Sequence, residues 1–188
     1  MKSTLLNMIL SLFGITLVAS AGVAGIYGLT VEPIAAAEQA LIEESLAMVL
    51  PEFDNNEKSS VEVDYFPIDI YTASKDGKVV GYAVQSITKR GYSGIIKVMV
   101  GIGPDMKLLD VSVLSHKETP GLGSKMTEAD NPLIKGVKGQ DYTSATPQVK
   151  KDGGDIDALT GATISSRAYL DAVKRAYTAL KEKGVGNE

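Results

Sequence analysis

Asp155-Ile156-Asp157-Ala158-Leu159-Thr160-Gly161-Ala162-Thr163-Ile164-Ser165-Ser166, or DIDALTGATISS, places four hydroxyls around one glycine where a long helical pattern begins. A helix start exposes N–H groups that lack an intrahelical partner and carries the positive end of the helix dipole, so it suits a phosphate. Thr160 or Thr163 acting as an ordinary N-cap is the competing reading. Gly161 allows close backbone approach, and Asp155 and Asp157 precede it. The fold class depends on this helix, because everything between residue 59 and this point reads as strand, turn or loop.

From Ile164 to Lys183 the apolar residues Ile164, Ala168, Ala172, Val173, Ala176 and Leu180 share one face, as an amphipathic helix requires. Lys181 and Lys183 lie in the last turn, and Gly184 follows as a stop signal. Upstream, Val61, Val63 and Tyr65 alternate with Glu62 and Asp64, and Ile68, Ile70 and Tyr71 extend that strand past Pro67. Asp76-Gly77 marks a tight hairpin, and Val79 to Thr88 returns from it. Gly91-Tyr92-Ser93-Gly94 is a further turn, and Gly103-Pro104-Asp105 separates the strands Ile95 to Ile102 and Leu108 to Ser115. Lys117 to Asp155 has no sustained period, and a loop of this length in a small domain is usually functional. The expected fold is α+β, an antiparallel sheet with flanking helices, preceded by one N-terminal transmembrane helix. Its expected divisions are an anchor at 1–31, a linker helix at 32–58 and a domain at 59–188.

The anchor is Leu5 to Leu29, 25 residues without a charge. At about 1.5 Å per residue this run crosses a hydrocarbon core of about 30 Å. Ala19-Ser20-Ala21 fits a signal-peptidase site, but the apolar run continues past it, which favours a retained anchor. Gly14, Gly22, Gly25 and Gly28 give the helix a small side that a neighbouring membrane helix could approach. Lys2 precedes the span, and no Lys or Arg occurs between Val31 and Glu57, so the N-terminus is expected in the cytoplasm and the domain outside it. Glu32-Pro33 is expected to separate the anchor from an amphipathic helix, Ile34 to Leu50, that Pro51 ends.

Composition removes several function classes. The net charge is -4 and no basic stripe occurs, which argues against nucleic-acid binding. The chain has no cysteine, so disulfides, thiol nucleophiles, iron–sulfur ligation and thiolate zinc sites are excluded. No nucleotide-binding glycine fingerprint is present: Gly121-Leu122-Gly123-Ser124-Lys125 lacks the spacing of a phosphate loop. Gly91 to Gly94 is not a nucleophile elbow.

Asp157-Ala-Leu-Thr160-Gly161-Ala162-Thr163 resembles the Asp-x-x-Ser/Thr-Gly-Ala-Thr flavinylation motif of FMN-binding domains. These domains occur in the G subunit of the Rnf electron-transport complex and in the C subunit of the sodium-pumping NADH:quinone reductase. His116-Lys117-Glu118-Thr119-Pro120-Gly121-Leu122-Gly123 is similar to a second segment of the same family, and Gly91 to Gly94 followed by an apolar strand agrees with it. The resemblance spans essentially the whole chain. It implies FMN held covalently on Thr163 by a phosphoester bond, attached by a separate flavin transferase that uses FAD and a divalent metal.

Cofactor contacts are expected from Thr160, Gly161, Ala162, Asp157, Ser165 and Ser166, and from His116, Glu118, Thr119, Pro120, Gly121, Leu122 and Gly123; a packed, hydrogen-bonded His116 in a purely structural turn is the competing reading of the second group. No catalytic residue and no metal ligand is expected, since His116 and Glu118 alone make too few zinc ligands. The implied role is that of one redox carrier in a membrane complex coupling electron flow between ferredoxin and NAD to ion translocation, with other membrane and peripheral subunits as partners. Two other readings stay open: the C subunit of the quinone reductase, and an exported flavin carrier or binding module without a pump. A structural protein whose hydroxyls only cap a helix is a third.

Overall fold

The computed structural model describes residues 4–185, and Lys2 lies outside them. The chain divides into two units, Met1–Ile42 and Glu43–Glu188. The first unit is helical. Its helix, α1, runs Leu5–Val49 and so extends into the second unit. The helix boundary expected at Glu32-Pro33 is absent, because α1 continues through Pro33. A proline ring removes only one backbone donor, and the helical hydrogen bonds on either side of it remain available. The window of highest hydropathy averages 2.1 over 18 residues and none of it is buried. This is the one helix among the described residues long and apolar enough to cross a membrane. A side chain added at Gly14, Gly22, Gly25 or Gly28 would meet nothing within 4 Å.

The second unit is an α+β domain on a five-stranded antiparallel meander, in order β1-β2-β3-β4-β5. The strands are β1 Asn55–Val63, β2 Phe66–Lys75, β3 Lys78–Thr88, β4 Ile96–Ile102 and β5 Leu108–Ser115. Two features differ from the expected strands. The run expected as a single strand from Val61 to Tyr71 is a hairpin, with Val63 paired to Phe66. Its turn residues Asp64 and Tyr65 have φ of 49° and 66°, the left-handed pair of a type I′ turn. That turn normally advertises itself with glycine, and here it has none. β1 also begins at Asn55, in a polar stretch that alternation does not mark, where it pairs with Ser74. The Asp76-Gly77 turn is as expected, with φ of 51° and 74°.

The sheet buries both faces. Along β3, Val84 and Ser86 turn toward the C-terminal helix, and the Ser86 hydroxyl donates to the Ala172 carbonyl at 2.7 Å. On the other face Gly81 and Ala83 are small, and Gly81 with Gly101 of β4 admits the end of α1. Leu46, Val49 and Leu50 are buried there, and a side chain on Gly101 would collide with the Val49 carbonyl. After β5 the chain forms a 3₁₀ turn, Gly123–Thr127, then the short helix α2, Pro132–Val137, and a second 3₁₀ turn, Lys150–Asp152. Asn131 caps α2, its side-chain oxygen accepting from Leu133 and Ile134 N–H at 2.9 and 3.0 Å. The segment expected as loop thus holds three short turns around buried Leu133, Ile134, Val149 and Ile156.

The last helix, α3, spans Thr163–Glu182. Ala168, Ala172, Val173, Ala176 and Leu180 are fully buried against the sheet, as their spacing predicts. Ile164 is not, being 47% exposed, because the first turn projects beyond the sheet-packed part of the helix. Tyr177 donates to the carbonyls of Met106 and Gln140 at 3.0 and 3.2 Å and meets Tyr142 edge-on. Gly184, at φ 86°, closes the helix, and the Val185 N–H returns to the Leu180 carbonyl at 2.9 Å.

Candidate functional site

An antiparallel meander brings the end of β3, the start of β4 and the end of β5 to one end of the sheet. The turn Gly91–Gly94, the segment 116–123 and the entry of α3 therefore meet there. Glu118 ties them together. It is 5% exposed, and its Oε1 accepts the Ser93 N–H at 3.0 Å. Its Oε2 accepts the hydroxyl of Ser165, in the first turn of α3. A Cβ on Gly91 or on Gly123 would lie 2.8 Å from a Glu118 carboxylate oxygen, so both positions need glycine. Gly123 also faces the Ser165 oxygen, which such a Cβ would approach to 2.6 Å.

The hydroxyls around the helix start divide between packing and exposure. Ala162 occupies the N-cap and no side chain caps α3. The capping reading for Thr160 and Thr163 therefore fails. Ser165 serves Glu118. Ser166 is fully buried, accepting from the Leu159 N–H at 3.0 Å and donating to the Ala162 carbonyl at 2.9 Å. Thr160 is exposed and Thr163 half-buried. Gly161 has φ 73°, and a Cβ there would sit 3.3 Å from Leu122 Cδ2, so the two motifs touch across this pair. Leu122 and Ile164, both more than 40% exposed, leave apolar surface beside the Thr163 hydroxyl. Orphan first-turn N–H groups, a hydroxyl not used for capping and flanking apolar side chains can accept an anion attached to a flat, apolar body.

A third segment, which sequence reasoning left without a role, borders the same place. Val149 and Ile156 form a bridge that closes the turn Lys150–Asp152. Lys150 Nζ lies 2.8 Å from an Asp157 oxygen. Asp152 receives Arg167 through two bonds, from Nε at 2.7 Å and from a terminal nitrogen at 2.6 Å. The Arg167 guanidinium holds the Asp152 carboxyl below its ordinary value. Lys151 Nζ donates to Thr163 Oγ1 at 3.3 Å. The sequence signal for this turn is Lys-Lys-Asp-Gly-Gly, whose charges and glycines could have been paired with the motif downstream.

The remaining predicted residues take local roles. His116 Nδ1 accepts the Glu118 N–H at 3.1 Å, so the imidazole props the turn from its half-buried position. Thr119 and Pro120 lie in the same turn, and the Thr119 carbonyl accepts from Leu122 and Ser124 N–H. Gly121, at φ 75°, donates its N–H to the Ser124 hydroxyl at 2.9 Å. Sequence reasoning misses Ser93, Ile164 and Lys151 as site residues: Ser93 contributes only a backbone N–H, and the other two read as helix face and solvated charge. No group of three or more His, Asp or Glu able to hold a metal occurs among the described residues.

Residues 91–178 match the family model described as the FMN-binding domain, and the three segments that meet at the end of the sheet all lie within this range. That match gives the class. The G subunit of the ion-translocating oxidoreductase complex of Haemophilus influenzae is 39% identical over 162 residues, 81% of this chain and 78% of that protein. Its namesake in Aliivibrio fischeri is 39% identical over 183 residues, covering 90% and 86%. The one from Shewanella baltica is 37% identical over 184 residues, covering 90% and 85%. The chain belongs to this family, the G subunits of ion-translocating oxidoreductase complexes.

Proposed function

We propose that the chain is an electron-carrier subunit of an Rnf-type ion-translocating complex and holds FMN covalently through a phosphoester on Thr163. The observation that carries this reading is the division of labour at the start of α3. Ser165 and Ser166 are buried and spent on structure, whereas Thr163 offers its hydroxyl at the first helical position without capping the helix. Family membership supports the complex, and the FMN-binding match supports the cofactor.

The residues present fit a flavin phosphate. The first-turn N–H groups of α3 would face its oxygens. Leu122 and Ile164 would exclude water from one side of the ring, and Gly121 and Gly161 keep the surface low around Thr163. Thr160, Ala162 and Asp157 shape the approach; Glu118, Gly123 and Ser165 hold the three segments in place, with His116, Thr119 and Pro120 setting the turn between them. Ser166 locks the motif to its own helix. FMN supplies the redox chemistry, passing one or two electrons, and the chain supplies attachment and orientation.

In this reading the electron path runs between ferredoxin and NAD through other membrane and peripheral subunits. The apolar segment of α1 anchors the chain in the cytoplasmic membrane with the N-terminus inside, and the FMN domain lies on the extracytoplasmic side. The absence of Lys and Arg from Val31 to Glu57 supports that orientation. Attachment by a flavin transferase suits a compartment where free cofactor would be lost by diffusion. Coexpression with a flavin transferase tests the reading: the denatured chain should fluoresce on a gel, and Thr163→Ala should not. Flavin retained by Thr163→Ala moves the attachment elsewhere. Copurification with integral membrane subunits separates a complex from a solitary carrier.

A further inference from the structure

We propose that Lys151 is a positioning residue for the modification of Thr163, its ammonium balancing the phosphate charge that this hydroxyl receives. The inference rests on the reading above that Thr163 is the attachment point. It starts from three consecutive side chains of one turn that grip three places around the helix start. Lys150 takes Asp157, Asp152 takes Arg167, and Lys151, between them, reaches Thr163 Oγ1. The two outer grips are ion pairs. Lys151 makes none among the described residues, although a lysine on the surface usually solvates freely. Asp152 is near enough to feel the Lys151 charge, but its hydrogen bonds go to Arg167, so the hydrogen bond of the Lys151 ammonium goes to the Thr163 hydroxyl at the point of attachment.

The backbone holds that charge in place. The Lys150 N–H donates to the Ile156 carbonyl at 2.9 Å, and the Gly154 N–H to the Val149 carbonyl at 3.2 Å. Gly153 turns the chain at φ 90°. Lys151 therefore springs from a closed loop whose far end leads straight into the motif.

The covalent step balances without a redox partner. The Thr163 Oγ–phosphorus bond forms as the diphosphate bond of FAD to its AMP half breaks. AMP leaves with the bridging oxygen, and the threonine proton passes to solvent or to a base of the transferase. The product is a phosphodiester with one negative charge, which Lys151 neutralises by a charge-assisted hydrogen bond. Catalysis of phosphoryl transfer rests largely on positioning and on stabilising charge around phosphorus. The same ammonium therefore favours the transfer as well as the product.

The test uses the full-length chain in detergent with flavin transferase, FAD and Mg²⁺, following the initial rate of protein-bound fluorescence. Lys151→Gln should slow incorporation about tenfold, and Lys151→Arg should restore most of the rate. Raising the salt should narrow the gap between wild type and Lys151→Gln. Thermal midpoints of the unmodified variants should match wild type, as a purely electrostatic role requires. Equal rates for wild type and Lys151→Gln would overturn the inference alone. A midpoint that falls in Lys151→Gln, with Lys151→Arg as slow as Lys151→Gln, would also overturn it, as a structural effect. Wild-type chain that gains no flavin would overturn the attachment reading and this inference together.

Discussion

Glu118 and Ser165 are hydrogen-bonded across 47 residues of sequence, carboxylate to hydroxyl, both buried. Through Ser93 the same carboxylate reaches the β3–β4 turn, so one side chain fastens three segments at the end of the sheet. Glu118→Ala leaves the Ser93 N–H and the Ser165 hydroxyl without partners. Ser165 is buried, so its unsatisfied hydroxyl costs about 1–3 kcal/mol, whereas Ser93 is exposed and water can take its N–H. The thermal midpoint of the full-length chain in detergent should drop by several degrees, with Glu118→Gln losing less. A midpoint unchanged in Glu118→Ala would mean that the contact does not hold the segments together.

Gly161→Ala tests the contact between the two motifs. At φ 73° an alanine is strained by about 1–2 kcal/mol. Its Cβ also lies 3.3 Å from Leu122 Cδ2, so the Leu122 side chain must yield. Lower stability and slower flavin incorporation are expected together. Normal incorporation in this variant would show that Leu122 and Gly161 need not keep their spacing.

The hairpin between β1 and β2 gives a prediction of opposite sign. Tyr65 sits at φ 66° and is 93% exposed, held in a left-handed conformation with no packing in return. Tyr65→Gly makes an Asp-Gly type I′ turn and keeps the Asp64–Arg175 ion pair at 2.8 Å. A gain of about 1 kcal/mol in denaturant unfolding is expected. A loss would show that the tyrosine ring contributes where its exposure says it does not.

Why some of this is legible in the sequence and some is not follows from the kind of signal each element carries. β3, β4, β5 and α3 have apolar periodicity and glycine-marked turns, and their bounds agree with the sequence to within a residue or two. β1 is polar along most of its length and its turn lacks glycine, so its pairing with β2 is a tertiary fact. The two motifs are visible as residue types; that Leu122 lies over Gly161 is not. Lys-Lys-Asp-Gly-Gly marks a charged turn in the sequence, but not where Lys151 lands. Its role depends on the turn around it, which is closed by one bridge between Val149 and Ile156, a contact without local periodicity.

The grip of Asp152 on Arg167 should respond to acid. The carboxyl sits below the usual aspartate value because the guanidinium bonds it. A carboxyl with a lowered folded pKa contributes its stabilisation above the unfolded value and loses it as pH falls through the folded one. The contribution is therefore constant near neutrality and fades only below about pH 4. Asp152→Asn should remove that acid dependence and leave stability near neutral pH little changed, since the pair is largely solvated. Thermal midpoints recorded from about pH 3 to about pH 7 for both chains provide the check, bracketing the unfolded aspartate value. The same acid slope in both would contradict the assignment.

The most direct measurement is the intact mass of the chain, purified after coexpression with a flavin transferase, followed by mapping of the peptide that contains Thr163. A gain equal to FMN minus water, located on Thr163 and absent from Thr163→Ala, is the predicted result. An unmodified Thr163 in wild-type chain from the assembled complex, with no flavin on any other residue, would contradict it.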